Sequence, residues 1–308
     1  MERMPIGVFD SGLGGLTVAR EIARALPEES LVYLGDTARC PYGPRALSEV
    51  RRFVLEIGTW LEQRPVKLIV IACNTATAAG LALAQRAFSV PVIGVVAPGS
   101  RAAVMATRNR RIGVIGTVGT VESGAYSRAM RALDAGVTVF SAATPRFVDI
   151  VEEGLRLGNG PVEDLLADSA GVFVRPSFYG ISRDYLDPLK RSGIDTLVLG
   201  CTHFPLLSAA IGSVTGPRVR LISSAAETAR EVADMLARRD HLAPSGSVPR
   251  HTFATTGDAD EFERLGSRVF GAPVGPVAHV ALAELEALPG DMLSALIDGS
   301  AAEEASCA

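Results

Sequence analysis

Two cysteines stand at the ends of short apolar runs, and each is followed at once by a polar pair. The first run is Leu68-Ile69-Val70-Ile71-Ala72-Cys73-Asn74-Thr75 and the second is Thr196-Leu197-Val198-Leu199-Gly200-Cys201-Thr202-His203. Runs of this length, rich in Val, Leu and Ile, predict parallel strands covered on both faces. Ligands of open α/β sheets bind beyond the carboxyl ends of the strands, so both thiols fall where a substrate would sit. Two matched thiols in one cleft suit a reaction needing an acid on one face of a substrate and a base on the other. The alternative for a free cysteine is a small buried hydrophobe. Against that, each stands just before an expected helix, whose positive end lowers a thiol pKa from about 8.5 towards neutrality.

Other groups could serve such a pair. Asp10 and Ser11 end the first expected strand, before Gly12-Leu13-Gly14-Gly15. That turn lacks the spacing of a dinucleotide or P-loop fingerprint, but an acid and a hydroxyl there suit an ammonium or a thiol. His203, two residues after Cys201, could hold that thiol as thiolate or share its proton; a helix-start histidine bonded to backbone is the other option. Glu152 and Glu153 read from pattern alone as a solvated helical face. Thr117 and Thr120 flank a glycine at another strand tip, where they could grip a carboxylate or cap a helix. Cys40 and Cys307 carry no such context.

The elements that must position these groups alternate between strand and helix, which predicts α/β layers around mostly parallel sheets. Strands are expected at 6–9, 31–34, 68–72, 92–96, 111–117, 196–200, 219–222 and 251–256. Helices are expected near 16–26, 46–63, 75–88, 123–135, 205–214 and 225–238, with a short one after the last strand. The stretch 111–117 resembles 5–11, and each half has a later strand ending in cysteine. The expected architecture is therefore two pseudo-symmetric α/β domains with the site in the cleft between them. The second half carries about 20 extra residues, expected near 164–183, where 171–180 breaks helical periodicity like an inserted loop or short strand. The end, from Gly299, is small and acidic and reads as frayed.

Bulk composition narrows the function classes. The chain has 308 residues, 48% hydrophobic and 21% charged, enough for two ordinary domains. A net charge of −4 gives no reason to expect a nucleic-acid or anionic-membrane surface. Four cysteines, with no zinc-type spacing, make neither a disulfide scaffold nor a metal site. No signal peptide and no apolar stretch of the roughly 18 residues a membrane helix needs are seen, so a cytoplasmic protein is expected. Lys67 and Lys190 are the only lysines. Neither stands at a strand tip, which argues against a pyridoxal phosphate Schiff base.

Taken in order, Asp10-Ser11-Gly12-x-Gly14-Gly15, Gly35-Asp36-Thr37 with Pro41-Tyr42-Gly43, Ala72-Cys73-Asn74-Thr75-Ala76 and Gly200-Cys201-Thr202-His203-x-Pro205 resemble the glutamate racemases of the cofactor-independent aspartate/glutamate racemase family. The likeness runs from about Ile6 to Leu236 and includes Pro145-Arg146-Phe147-Val148 leading into Glu152. It implies L-/D-glutamate interconversion by two thiols, without metal, nucleotide or other cofactor, supplying D-glutamate for peptidoglycan. By resemblance Cys73 and Cys201 are the acid/base pair, Asp10 and His203 assist them, and Glu152 is a further acid near the site. Asp10, Ser11, Tyr42, Gly43, Asn74, Thr75, Thr202 and His203 match substrate-binding positions, with Thr117 and Thr120 as additional candidates. The resemblance also implies a homodimer, with residues 1–98 plus 208–283 as the first domain, 99–207 as the second and 284–308 as a tail. The insertion and the tail depart from the family pattern. The first strand begins almost at once, so control through an N-terminal extension is not expected. Three rivals remain: a racemase of the same plan acting on aspartate or another small acid, a non-catalytic amino-acid-binding or gyrase-interacting protein, and a thiol redox protein.

Overall fold

The computed structural model describes residues 3–157 and 176–287. Its strands form two all-parallel sheets. The first is ordered β10-β9-β2-β1-β3-β4, from β1 (Ile6–Asp10), β2 (Leu31–Gly35), β3 (Leu68–Ile71), β4 (Val92–Gly94), β9 (Thr252–Thr255) and β10 (Val277–His279). The second is ordered β6-β5-β7-β8, from β5 (Arg111–Gly116), β6 (Thr138–Ala143), β7 (Thr196–Gly200) and β8 (Arg220–Ser223). Read from β4 and from β8, the two orders coincide: β4-β3-β1-β2 against β8-β7-β5-β6. The internal repeat expected from the sequence is thus a repeat of strand topology. Cys73 and Cys201 follow its equivalent central strands, β3 and β7.

Both central strands are buried along their whole length, and period-two alternation explains why they read as unbroken apolar runs. Leu68 and Val70 face one core, with Val18 and Ile22 of helix α1 (Leu16–Ala25). Ile69 and Ile71 face another, with α2 (Leu47–Glu62) and α3 (Asn74–Ala87). The first of these cores continues into the second sheet through Leu197, Leu199 and Phe204. The two halves therefore share buried apolar contact beneath the cleft, where each fully buried Leu, Ile or Phe contributes about 1.5–3 kcal/mol. The other face of the second sheet packs Val114 and Val198 against Ala103 of α4 (Val96–Ala106) and Met130 of α6 (Ala125–Leu133).

The structure departs from the sequence expectations in several places. Strand β8 lies inside the segment assigned to the first domain, yet it pairs with β7, Thr196 opposite Arg220. The repeat needs a fourth strand, so the second sheet extends past residue 207. The 123–135 helix is preceded by a separate short one, α5 (Val118–Glu122), and begins only after Gly124, whose φ of 64° breaks the helix. Residues 176–183 of the supposed inserted loop begin α8 (Pro176–Arg191); the rest of that segment lies outside the described residues. Of the supposed tail, residues 284–286 complete a last short helix (Leu282–Glu286), with Leu285 fully buried and Glu284 accepting a 2.8 Å hydrogen bond from Trp60 Nε1. The frayed end expected from Gly299 and Cys307 lie outside the described residues. Strand β6, an edge strand with no fully buried residue, carries no continuous apolar run to announce it.

Candidate active site

Cys73, Cys201, Ser11, Tyr42, Gly43, Asn74, Thr75, Thr117, Thr202 and His203 line one cavity of about 190 Å³ between the tips of the two sheets. Its size suits a compact amino acid. Asp10 lies fully buried just beneath it, and Thr120 reaches it through hydroxyl contacts with Thr75 (3.3 Å) and Thr117 (3.0 Å). Glu152 lies behind His203, on the wall of a neighbouring cavity of about 240 Å³. Every residue singled out by pattern or resemblance thus falls in or directly against one cleft.

The halves meet closely here. A Cβ on Gly14 would stand 2.4 Å from Thr202 Oγ1 and 2.6 Å from the His203 ring, so only glycine permits the approach. Thr17 Oγ1 donates to the Thr202 carbonyl at 3.0 Å, and Thr75 Oγ1 lies 2.8 Å from Thr117 Oγ1. Gly119 N–H donates to the Gly43 carbonyl at 2.9 Å.

Cys73 is the N-cap of α3, and its sulfur accepts a hydrogen bond from Ala76 N–H at 3.4 Å. Its thiol also lies 3.7 Å from Ser11 Oγ. The expectation of a lowered thiol pKa is reversed here. Burial raises the Cys73 value to about 12, helped by the nearby Asp10 charge, and the Ala76 and Ser11 hydrogen bonds offset this only in part. Asp10 Oδ2 accepts from Gly12 N–H (3.0 Å) and Gly15 N–H (2.9 Å), while Oδ1 is buried with no hydrogen-bond partner among the described residues. Burial pushes Asp10 upward against the lowering influence of His203 and those amides.

Cys201 has different company. It precedes a tight turn and a 3-10 segment, Phe204–Leu207, and the following α-helix, α9, begins only at Ser208. Its sulfur lies 3.7 Å from His203 Nδ1, and His203 Nε2 lies 3.6 Å from Glu152 Oε1. Burial alone would lower the His203 pKa. The Cys201 and Glu152 contacts outweigh it and bring the value to about 10. The His203 contact correspondingly holds Glu152 below the ordinary carboxylate range. The arrangement sets an imidazole and a carboxylate beside one sulfur, and a hydroxyl and a buried carboxyl beside the other.

Tyr42 was expected to bind substrate. Its ring lines the cleft, but its hydroxyl donates to Asp36, which also takes a 2.7 Å hydrogen bond from Arg39 Nε. Arg39 in turn pairs with Glu56, so a buried ion network braces the loop carrying Tyr42 and Gly43. Pattern reasoning missed Cys40, Val148 and Asp149, which also line the cleft. Of the lysines, Lys67 is buried against Glu29 at 2.5 Å and donates to the His241 carbonyl, while Lys190 donates to the Val214 carbonyl. Neither lines the cleft, so no lysine is placed to form a Schiff base there. Among the described residues, no group of three His, Cys, Asp or Glu is arranged to hold a metal ion.

The profile of the Asp/Glu/Hydantoin racemase family matches residues 6–232. A glutamate racemase of Bacillus cereus is 46% identical over 277 residues, covering 90% of this chain and 97% of that protein. The crystal structure of a glutamate racemase isoform from Bacillus anthracis superposes with a TM-score of 0.82 at 45% identity, covering 92% of this chain and 99% of the other. A glutamate racemase of Francisella tularensis, solved with D-glutamate, gives 0.80 at 29% identity, covering 92% and 99%.

Proposed function

The chain belongs to the Asp/Glu/Hydantoin racemase family, and from that premise we propose that it interconverts L- and D-glutamate by moving the Cα proton between Cys73 and Cys201. The observation that carries the mechanism is that both sulfurs, from equivalent strands of a topological repeat, line one small cavity. Two fixed groups on opposite faces spare the enzyme from swinging one base around the substrate. The Cys201 thiolate, held by His203, removes the proton from one enantiomer while the Cys73 thiol delivers one to the opposite face. In the reverse direction the roles exchange, with Asp10 and Ser11 beside Cys73.

The carbanion that forms needs fixed donors at the carboxylate and exclusion of water. Asn74, Thr75, Thr117, Thr120, Ser11 and Thr202 supply donors at the cleft. Among the described residues no Arg or Lys lines the cavity, so a dicarboxylate is held by amides and hydroxyls. The product D-glutamate serves peptidoglycan synthesis in the cytoplasm, and the working form is a homodimer. The two domains follow the two sheets, the second one taking in β8. Among the described residues, no helix is long and apolar enough to cross a membrane.

The deciding measurement is Cα proton exchange in deuterated water, without added cofactor and with chelator present. Wash-in of deuterium and inversion of glutamate are expected, with aspartate much slower. Glutamate of either hand that stays fully protonated would end this reading. Sedimentation tests the dimer.

A further inference from the structure

Asn74 is the first residue of α3 and lines the cleft, but its amide is held from the other half of the molecule. Tyr126, on α6, donates its phenolic hydroxyl to Asn74 Oδ1 at 2.7 Å. Tyr126 does not line the cavity; it is buried among Val114, Met130 and Val198. Ser224, the first residue of α10 (Ser224–Arg238), is buried near the same ring. Asn74 Nδ2, in contrast, is buried with no hydrogen-bond partner among the described residues. A buried amide donor left unpaired costs about 1–3 kcal/mol unless something completes it.

We propose that Tyr126 is a positioning residue: its hydroxyl occupies the carbonyl side of the Asn74 amide and so aims the NH2 group at a substrate carboxylate. The inference rests on the amino-acid racemase reading above and adds a group that acts through Asn74. An amide free to rotate by half a turn would offer substrate an acceptor as readily as a donor. An acceptor facing a carboxylate repels it. Because Tyr126 comes from the second half and Asn74 from the first, this bond also ties donor orientation to the docking of the halves.

The test compares steady-state kinetics in both directions for wild type, Tyr126→Phe, Asn74→Ala, Asn74→Asp and the Tyr126→Phe/Asn74→Ala double variant. Tyr126→Phe is expected to raise KM for both enantiomers about tenfold, the weight of one charge-assisted hydrogen bond, with a smaller change in kcat. In the Asn74→Ala background the same change is expected to do nothing, since the group it orients has gone. Asn74→Asp, which keeps an acceptor for Tyr126 but turns the donor into an acid, is expected to raise KM more than Asn74→Ala. An unchanged KM for Tyr126→Phe, an equal effect in both backgrounds, or an Asn74→Asp better than Asn74→Ala each overturns the inference. The two Asn74 variants keep Tyr126 and decide the matter even if Tyr126→Phe does not fold. Wild-type turnover is measured first: its absence sinks the racemase reading and this inference together, whereas normal wild-type kinetics with any of those outcomes sinks this inference alone.

Discussion

The Cys73 and Cys201 halves share a strand order and differ in what surrounds the sulfur. Cys73 caps a full helix, beside a hydroxyl and a buried carboxylate, and burial holds its proton on. Cys201 opens a turn and leans on His203, which leans on Glu152, which lies 3.8 Å from Arg156 on the same helix, α7 (Arg146–Leu157). A repeated backbone thus brings two like atoms to one cavity and gives them unlike neighbours, which in the proposed reaction would set which one starts as the base. The lesson is that topology supplies position and electrostatics supplies role.

The sharpest way to break this comparison is to remove one sulfur at a time. Cys73→Ser and Cys201→Ser should each lower racemisation by about 10²–10⁴-fold, the range for a positioned acid or base. Each should still exchange the Cα proton of one enantiomer only, and a different one in each variant. Proton exchange followed by NMR decides it; equal residual exchange of both enantiomers in either variant counts against paired bases.

Next come the partners. His203→Asn should cost about a hundredfold in the direction where Cys201 is the base, and Asp10→Asn a similar amount in the other. Losses that are equal in both directions for both variants would erase the division of labour between the halves.

The pH profiles should also split. The His203 value of about 10 predicts that kcat/KM for the enantiomer deprotonated by Cys201 should fall above about pH 10. Cys73 must lose a proton with a value of about 12, so kcat/KM for the other enantiomer should keep climbing into alkali. The raised His203 value lends stability that is full below its ordinary 6.5 and lost as pH rises towards about 10. Thermal melting should therefore decline over that window, and less so in His203→Asn.

Smaller effects lie further out. Glu152→Gln removes the acid behind His203, and should lower activity about tenfold and bring the alkaline fall-off to lower pH. Arg156→Gln should change kcat by no more than about twofold, because its contacts to Glu152 and Glu261 (3.4 Å) are largely exposed. A loss as large as that of Glu152→Gln would show that the Cys201 half is tuned across the domain boundary.

Much of this was legible in the residues. The apolar runs ending in Cys73 and Cys201 announce buried parallel strands, because alternate side chains must satisfy cores on both faces. The polar pairs after them, and the Asp10-Ser11 turn, mark strand tips. Less visible were β6, whose half-exposed edge needs no apolar run, and the place of β8, whose four residues read the same in either sheet. Cys40 and Asp149 gave no local signal of lining the cleft, since their neighbours in sequence say nothing of their neighbours in space.

What the chain alone determined is the alternation of elements and the two thiols at strand tips, which rest on local periodicity and spacing, and a family resemblance carried by motifs in order. What only the tertiary structure decided is the company each thiol keeps. Ser11 beside Cys73, Glu152 behind His203 and Tyr126 on Asn74 are pairs separated by tens of residues, and pKa values answer to burial and to charges across a cleft. The same cysteine in the same kind of run meets a different environment according to what folds against it.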